Sequence, residues 1–299
     1  LGKHGGIIVN EYLETSVKDV YAAGDVIEFK NPITGETTPA FLAGPANKQG
    51  RIVANNIHSS RSARYTGSIS TAIVKVFDHV LSSTGVNATT LQRNSIPYMQ
   101  TTIYGNSHSG YYPGGTPMLI RLLFSPGEGT ILGAQLAGEK GIDKRTDVLS
   151  CLIQQKGTVS DLVNFEQAYA PPFSSARDPL NVLGFVAENQ LSGLNTVFEW
   201  DQCETVSHER ILLDVRSENE FSSGSIPKAI NLPLEQLRNC INTLSKNEKL
   251  AVFCKSGLRS YIALRILSQE GFDVITLSGG YDLWKTCTGE STIENSSNV

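Results

Sequence analysis

A single cysteine near the end of the chain stands in a sequence that can activate a thiol. Cys254 follows the apolar run 250–253, and the loop Lys255-Ser-Gly-Leu-Arg259 leads into helical periodicity from Tyr261. A strand that ends in a short glycine-containing loop before a helix directs backbone N–H groups and the positive end of the helix dipole at the loop. Such surroundings favour the thiolate over the thiol. The spacing therefore predicts that Cys254 is a nucleophile.

The elements around this loop follow an α/β pattern. From about residue 206 onward, strand-like runs at 211–215, 250–253 and 274–277 alternate with helical stretches. Strands that alternate with helices predict a parallel sheet that is covered on both faces. Cys254 directly follows the second of these strands.

Three segments of this region, taken in order, resemble the rhodanese sulfurtransferases. They are residues 213–233, the Cys254 loop, and Leu277-Ser-Gly-Gly280-Tyr-Asp-Leu-Trp284. The resemblance implies a rhodanese-like α/β domain in which Cys254 carries a sulfane sulfur as a persulfide. It also implies that the loop amides steady the persulfide anion and that Arg259 lies beside the loop as a cationic neighbour.

The loop also has other interpretations. A tyrosine-phosphatase-like loop also pairs a cysteine with an arginine, but Arg259 lies five positions after Cys254 rather than six, and Phe253 replaces that family's histidine. A shorter loop encloses a smaller anion. A cysteine that follows a strand is, on that fact alone, more often a buried core residue than a nucleophile. Ser260 is a weaker candidate because it could simply cap the helix.

Several neighbours of the loop are expected to be structural. Three charged residues that should pair and fix the loop after the first strand are Asp214, Arg216 and Glu220. Ser225 stands where many rhodaneses have histidine, and Lys228 replaces a usual glycine, so a glycine-specific turn could be altered there. Cys287 could resolve a disulfide with Cys254 or be an ordinary cysteine near a helix end.

Length and composition bound the remaining possibilities. The chain has 299 residues, 40% of them apolar and 18% charged, which is typical of folded protein with two or three domains. Its net charge is −4 and its basic residues form no stripe, so neither nucleic acid nor a membrane is an expected partner. Five widely spaced cysteines without a C-x-x-C pair predict no metal site and a reducing compartment.

The ends of the chain also carry expectations. No stretch approaches the roughly 20 apolar residues that span a bilayer, and the first residues do not resemble a leader sequence. A cytoplasmic location is therefore expected. Because the chain starts at Leu1 rather than Met, we expect it to lack an N-terminal part.

Hydrophobic periodicity and turn-forming residues divide the chain into zones. A hairpin is predicted from 118–124 to 131–136, which indicates an α+β zone with an antiparallel sheet. With the resemblances described next, the expected domains are an incomplete FAD-binding domain over 1–62, a dimerisation domain over 63–191, a linker over 192–205, a rhodanese domain over 206–288 and a disordered tail over 289–299.

The first zone contains a possible flavin motif. In the run 13–26, a strand delivers Gly24 and Asp25 to a helix start, where glycine permits close approach of a ligand and the carboxylate can accept a hydroxyl hydrogen bond. The run resembles the C-terminal flavin signature of the pyridine nucleotide-disulfide oxidoreductases. That resemblance implies that Gly24, Asp25 and Val26 contact FAD.

Three later motifs, at 44–51, 106–114 and 168–181, resemble the coenzyme A-disulfide reductase and NADH oxidase branch of that family, in members with a fused rhodanese. The resemblance implies that Tyr111 and Tyr169 reach across a dimer toward the partner's flavin and a mixed disulfide with coenzyme A. A phenol can donate to a developing thiolate. Asn47 and Arg177 are implied coenzyme A contacts, although Arg177 could instead pair with Asp178 and a tyrosine can be a core residue.

The resulting hypothesis is the C-terminal part of a homodimeric, FAD-dependent, NAD(P)H coenzyme A-disulfide or persulfide reductase. Its substrates would be small-molecule disulfides, persulfides or polysulfides. The chain has no Gly-x-Gly-x-x-Gly after a first strand and no upstream flavin-facing cysteine, so alone it is expected to perform only sulfur transfer. A stand-alone sulfurtransferase on a dimer platform and a non-catalytic redox sensor or scaffold are the alternatives.

Overall fold

A computed structural model describes residues 1–59 and 61–289 of the chain. The expected disordered tail lies outside these residues from position 290 onward. The chain forms two compact units. One unit contains residues 1–99 and 122–158, and the other contains residues 100–121 and the chain from residue 159 onward.

The first unit begins with a small mixed sheet and a long helix. Its elements are β1 (Ile7–Ile8), a 3-10 turn (Gly24–Val26), β2 (Ile27–Lys30), β3 (Thr37–Thr38) and α1 (Ala43–Ser59). Strand β2 is central, parallel to β1 and antiparallel to β3. Leu13, Ile27 and Phe29 are buried and pack with Ile52 and Val53 of α1. This core fixes the turn that contains Asp25 at the amino end of β2.

The middle of the chain forms the predicted antiparallel sheet. Its elements are β4 (Ala72–Val76), β5 (His79–Gly85), α2 (Ala88–Arg93), β6 (Met99–Asn106), β7 (Pro117–Phe124) and β8 (Ile131–Gly138). The strand order is β4-β5-β8-β7-β6, and the β4–β5 and β5–β8 ladders are antiparallel. The predicted pairing of 118–124 with 131–136 is confirmed, and Ser125 N donates to Thr130 O over 2.9 Å to close the turn.

Three helices follow this sheet in the sequence. They are α3 (Ile142–Gln154), α4 (Val159–Asn164) and α5 (Pro179–Leu191). Helix α3 packs on β5 and β8. Helices α4 and α5 pack so closely that a Cβ atom on Gly184 would lie 2.7 Å from the backbone nitrogen of Val163. This close approach fixes the position of α5 against α4.

The remaining elements build a five-stranded sheet with helices on both faces. They are β9 (Val197–Phe198), α6 (Cys203–Glu209), β10 (Ile211–Asp214), α7 (Glu218–Ser222), β11 (Ile230–Asn231), α8 (Leu234–Cys240), β12 (Leu250–Phe253), α9 (Leu258–Gln269), β13 (Val274–Leu277) and α10 (Gly280–Thr288). The order is β11-β10-β12-β13-β9, and every ladder is parallel. The predicted parallel sheet is confirmed. Strand β12 is fully buried, which explains its uninterrupted apolar sequence.

The segment expected to be a linker contains regular structure. Strand β9 lies within 192–205 and pairs with β13, and Phe198 enters the core of this sheet at 4% exposure. A strand of two residues is too short to show periodicity, so its pairing could not be detected from the sequence. No helix among residues 1–59 and 61–289 is both long and apolar enough to cross a membrane.

Candidate functional site

The Cys254 thiol lies where the central strand of the parallel sheet meets a helix. Strand β12 ends at Phe253, the four residues 254–257 form the loop, and α9 begins at Leu258. Gly257, with a φ of +122°, turns its N–H toward Cys254 Sγ at 3.2 Å. The thiol in turn donates to Ser260 Oγ over 3.7 Å. The sulfur is thus placed at the positive end of α9 with a backbone donor beside it.

The first turn of α10 holds the backbone of the Cys254 loop. Tyr281 N donates to Cys254 O over 2.9 Å, and Asp282 N donates to Lys255 O over 3.0 Å. Gly280 has a φ of +67°, and a Cβ atom there would lie 2.6 Å from Lys255 O and 2.7 Å from Cys254 O. Only glycine permits this approach, which explains the Gly-Gly pair in the downstream motif.

Arg259 is bound by a carboxylate. Its guanidinium donates to both oxygens of Glu220, over 2.6 and 2.7 Å. These bonds lower the pKa of Glu220 from 4.5 to about 2 and raise the pKa of Arg259. Ser217 and Glu220 also form the capping box of α7. Arg259 therefore lies in the first turn of α9 with its charge neutralised by Glu220. Its expected role as a cationic neighbour of the sulfur loop stays a prediction.

A buried ion pair fixes the loop after the first strand of this region. The guanidinium of Arg216 donates to both oxygens of Asp214, the shortest bond being 2.6 Å, and lies 4.0 Å from the ring centroid of Tyr281. Ser225 Oγ donates to the same carboxylate over 2.8 Å. The pairing of Asp214 with Arg216 is as predicted, whereas Glu220 binds a different arginine, Arg259.

A cavity of about 420 Å³ adjoins the sulfur loop. Ser256, Gly257 and Leu258 line one side of it, and α5 lines another with apolar side chains. Arg177, an expected coenzyme A contact, lines the same cavity. The space is within the second compact unit and can admit a small thiol or part of a longer carrier beside the loop.

The two candidate tyrosines meet, although 58 positions separate them. Their hydroxyl oxygens lie 3.3 Å apart, and the side chains of Tyr111 and Tyr169 are exposed. This hydrogen bond lowers the pKa of Tyr169 and raises the pKa of Tyr111. Ser109 ties the two loops together, since its N–H and its hydroxyl both donate to Ser174 O over 3.0 Å. The pair can present one phenol hydroxyl as a donor to a sulfur atom.

A buried aspartate, predicted from the sequence only as an alternative partner of Arg177, holds this arrangement. Asp178 is 1% exposed and accepts a hydrogen bond of 2.6 Å from Ser174 Oγ. It is also the N-cap of α5, with Leu180 N donating to its Oδ1 over 3.0 Å. An aspartate directly before a proline and a helical run is a known helix-start signal that would have identified this role.

The proposed flavin residues form a separate group in the first compact unit. Gly24 has a φ of +82°, and its N–H donates to Gln49 Oε1 over 2.7 Å, which holds the turn against α1. Asp25 is exposed and Val26 is 54% exposed. Asn47 is exposed on α1 and donates to Ala43 O over 2.9 Å. An exposed carboxylate beside a glycine with a positive φ and an uncovered apolar side chain fits a ligand that is rich in hydroxyls and partly apolar, as FAD is.

Metal and disulfide chemistry are not indicated by the described residues. Residues 1–59 and 61–289 contain no group of three or more His, Cys, Asp or Glu side chains that could hold a metal ion. All five cysteines lie within these ranges and none is paired in a disulfide. Cys203 is buried, which raises its pKa to about 12. That thiol is a core residue.

Family comparisons match three parts of the chain. Residues 1–52 match the pyridine nucleotide-disulphide oxidoreductase family, and residues 71–180 match the dimerisation domain of that family. Residues 200–287 match the rhodanese-like domain.

Curated relatives include coenzyme A disulfide reductases of staphylococci. The enzyme of Staphylococcus epidermidis is 34% identical over 188 residues, which are 63% of this chain and 42% of that protein. The enzyme of Staphylococcus haemolyticus is 33% identical over 189 residues, with the same shares. The chain thus spans less than half the length of these relatives.

Solved structures extend the similarity through the sulfur loop. Reduced CoADR-RHD of Bacillus anthracis is 40% identical with a TM-score of 0.94, over 97% of this chain and 52% of that one. A NAD-dependent persulfide reductase from A. fulgidus is 37% identical with a TM-score of 0.85, over 93% of this chain and 51% of that one. The chain therefore carries domains of the pyridine nucleotide-disulphide oxidoreductase family over residues 1–52 and 71–180, followed by a rhodanese-like domain.

Proposed function

We propose that this chain acts in an FAD-dependent, NAD(P)H coenzyme A-disulfide or persulfide reductase, with Cys254 as its sulfur carrier. The observation that supports the sulfur step is the Cys254 thiol, which accepts the N–H of Gly257 at the start of α9. A backbone donor and a helix terminus stabilise an anionic sulfur without a second titrating group. The names of the similar proteins support the reductase assignment.

The sulfur step follows from this geometry. The Cys254 thiolate attacks the outer sulfur of a persulfide, RS–SH, and the donor's S–S bond breaks. The electron pair leaves with RS⁻, and Cys254 becomes a persulfide, so atoms and charge balance. The N–H of Gly257 and the dipole of α9 stabilise the anionic sulfur before and after transfer.

Coenzyme A is the proposed carrier between the two sulfur sites. Arg177 would bind a phosphate of the carrier, and it lines the cavity that the sulfur loop also lines. Asn47 is a second proposed contact, on the exposed side of α1. Tyr111 and Tyr169, joined by their hydroxyls, would donate a hydrogen bond to the coenzyme A thiolate as it forms.

FAD, when bound, would pass electrons from NAD(P)H to the disulfide. In this chain Asp25 would accept a hydrogen bond from a cofactor hydroxyl, while Gly24 allows the cofactor close to the backbone. Val26 would cover an apolar part of it, since its side chain is exposed in the structure described here. These residue roles, and those of Cys254 and Arg259, are proposals.

The proposed enzyme is a homodimer in a reducing compartment. The chain has a dimerisation domain, and we propose a homodimer in which Tyr111 and Tyr169 of one copy reach toward the flavin of the other. Small-molecule disulfides, persulfides and polysulfides are the proposed substrates. Five unpaired cysteines support a reducing, cytoplasmic compartment.

Sulfur loading of the purified chain tests the carrier role. Incubation with glutathione persulfide should add the mass of one sulfur atom to Cys254, as seen by intact and peptide mass spectrometry. Cys254→Ser should abolish the addition, and Cys151→Ser, at an exposed cysteine on α3, should leave it unchanged. Sulfur found on other cysteines but not on Cys254 would reject the role.

The coupling to reduction needs the complete enzyme. Cys254→Ser is expected to slow NAD(P)H-dependent persulfide turnover while leaving coenzyme A disulfide turnover unchanged. Equal turnover of persulfide by the wild type and the variant would show that the rhodanese-like domain does not supply sulfur to the flavin site.

A stand-alone sulfurtransferase is the second candidate. It is favoured by one observation, namely that the sulfur loop and its supporting contacts are complete within the second compact unit. Sulfur transfer to cyanide by the flavin-free chain, at a rate equal to that of the complete enzyme, would favour this function over the first.

A further inference from the structure

Two arginines near the Cys254 loop are each paired with a carboxylate. Arg259 binds Glu220, and Arg216 binds Asp214. Lys255, in the loop itself, is exposed and acts on the pKa of Asp282 only through its charge. Both guanidinium charges beside the sulfur site are therefore neutralised, and Lys255 is the exposed cation of the loop.

The Arg259–Glu220 pair is fixed at both ends. Two hydrogen bonds join the guanidinium to the carboxylate, and the side chains are only 30% and 32% exposed. Glu220 cannot swing away easily, because its Oε2 also accepts bonds from the N–H and the hydroxyl of Ser217 over 3.0 and 3.1 Å. Since the pKa of Glu220 is about 2, the carboxylate is charged at any physiological pH.

This pairing changes what the loop offers to a sulfur donor. A guanidinium that makes two bonds to one carboxylate has little net field at the distance of a third ion, because the two charges nearly cancel. The N–H of Gly257 and the dipole of α9 remain available for one anionic sulfur. A second anionic group at the loop rim finds no uncompensated guanidinium.

Sulfur donors differ in that second group. A persulfide, RS–SH, gives its outer sulfur to the thiolate and leaves as RS⁻. Thiosulfate gives its outer sulfur with breakage of the S–S bond and leaves as sulfite, so that Cys-S⁻ and S–SO₃²⁻ become Cys-S–S⁻ and SO₃²⁻. The second reaction brings a dianion to a thiolate, and like charges in a partly desolvated site repel strongly unless a cation is present.

We propose that Glu220, by neutralising Arg259, makes the Cys254 loop selective for persulfides over thiosulfate. This role rests on the proposed function, in which Cys254 is the sulfur carrier. Glu220 acts through Arg259 and is a specificity-determining residue that does not touch the reacting sulfur. Its removal restores an unpaired guanidinium five positions from the nucleophile.

Competing sulfur donors test this selectivity on the chain itself. Rates of Cys254 loading are measured with 2-hydroxyethyl persulfide, whose carbon chain is uncharged, and with thiosulfate, for the wild type, Glu220→Gln and Glu218→Gln. Glu220→Gln should raise the thiosulfate rate about tenfold, which is the low end of electrostatic steering effects. Its persulfide rate should stay within about twofold, because that donor brings no second charge.

Glu218 is a matched control on the same helix. Like Glu220 it lies in the first turn of α7, but its carboxylate accepts from Gln236 over 3.3 Å rather than from an arginine. Glu218→Gln removes the same charge from the same helical turn without releasing a guanidinium. Both donors should load this variant at wild-type rates. An equal gain of thiosulfate loading in both variants would overturn the assignment to Glu220.

Ionic strength provides a second test of the same charge. Lys255 is exposed in the wild-type loop, so thiosulfate loading should fall modestly with salt in the wild type and more steeply in Glu220→Gln, where the Arg259 guanidinium is no longer neutralised. An equal dependence on salt in the two proteins overturns the selectivity proposal. So does an unchanged donor ratio in folded Glu220→Gln. Failure of both donors to load Cys254 would instead reject the carrier function, and the selectivity with it.

Discussion

Gly280 lets the last helix approach the sulfur loop, and its replacement should show how much this approach matters. In Gly280→Ala the new Cβ would meet two carbonyl oxygens at 2.6 and 2.7 Å in a left-handed backbone conformation. We expect a loss of about 2–4 kcal/mol in the free energy of unfolding from strain and overpacking, measured by urea denaturation. Cys254 loading should slow, because the loop carbonyls that the turn holds must move.

The control for this prediction is Gly271→Ala. Gly271 also has a positive φ, +86°, but no atom lies within 4 Å of a Cβ atom built there. Gly271→Ala should lower the free energy of unfolding by about 1 kcal/mol, because alanine is disfavoured at a positive φ, and it should leave Cys254 loading unchanged. Equal losses of stability and loading in the two variants would mean that the clash with the loop has no role.

Glu220 links the stability of the chain to pH. Arg259 lowers the folded-state pKa of this carboxylate from 4.5 to about 2. Stability from a lowered carboxyl pKa is present above 4.5 and is lost as the pH falls toward 2. The partly exposed pair should contribute about 1–2 kcal/mol at pH 7, less than the full shift implies because solvent screens it.

The measurement is the difference in unfolding free energy between the wild type and Glu220→Gln across this pH range. The wild type should be more stable at pH 7, and the two should converge between about pH 4.5 and pH 2. A difference that stays constant through this window would contradict the assigned ionisation.

At the scale of elements, the N-cap of α5 is linked by hydrogen bonds to the loops that carry Tyr111 and Tyr169. Asp178 caps the helix and accepts the hydroxyl of Ser174, whose carbonyl receives both donors of Ser109. Asp178→Ala should therefore destabilise the chain by about 1–2 kcal/mol and separate the tyrosine loops. The pKa of Tyr169, lowered by Tyr111, should then rise toward its ordinary value in a phenolate absorbance titration.

Asn87→Ala is the matched element-scale control. Asn87 caps α2 through a bond from Thr90 N of 2.9 Å and lies in the first compact unit, whereas Tyr111 and Tyr169 lie in the second. It should lower stability by a similar amount and leave the titration of the tyrosines unchanged. An unchanged titration in Asp178→Ala would show that the loops keep their position without the cap.

Sequence patterns predicted the elements with unequal success, for physical reasons. Strands β12 and β13 were predicted with the observed bounds, because strands buried on both faces are continuous apolar runs. Strand β9 was missed, because two residues carry no periodicity. Lys228, where rhodaneses usually have glycine, keeps the left-handed conformation at a φ of +68°. The turn tolerates lysine there, a result that only the structure provides.

At the scale of the whole molecule, association can be measured directly. Because residues 71–180 match a dimerisation domain, the purified chain should sediment as a dimer with about twice its mass of 32.4 kDa. The apparent mass should fall on dilution if the interface is weak and stay constant if it is strong. A mass of one chain at every concentration would contradict the homodimer proposal for the chain in this form.

The sequence by itself determined the family resemblance and the parallel sheet, and it indicated Cys254 as the proposed sulfur carrier, because glycine-loop spacing and apolar runs are local properties of the chain. Tertiary structure decided which charges and hydroxyls meet. Arg259 and Glu220 are 39 positions apart, and Tyr111 and Tyr169 are 58 apart. Long-range pairs of this kind depend on how elements pack, so their partners, and with them the neutralised charge of Arg259, appear only in the folded chain.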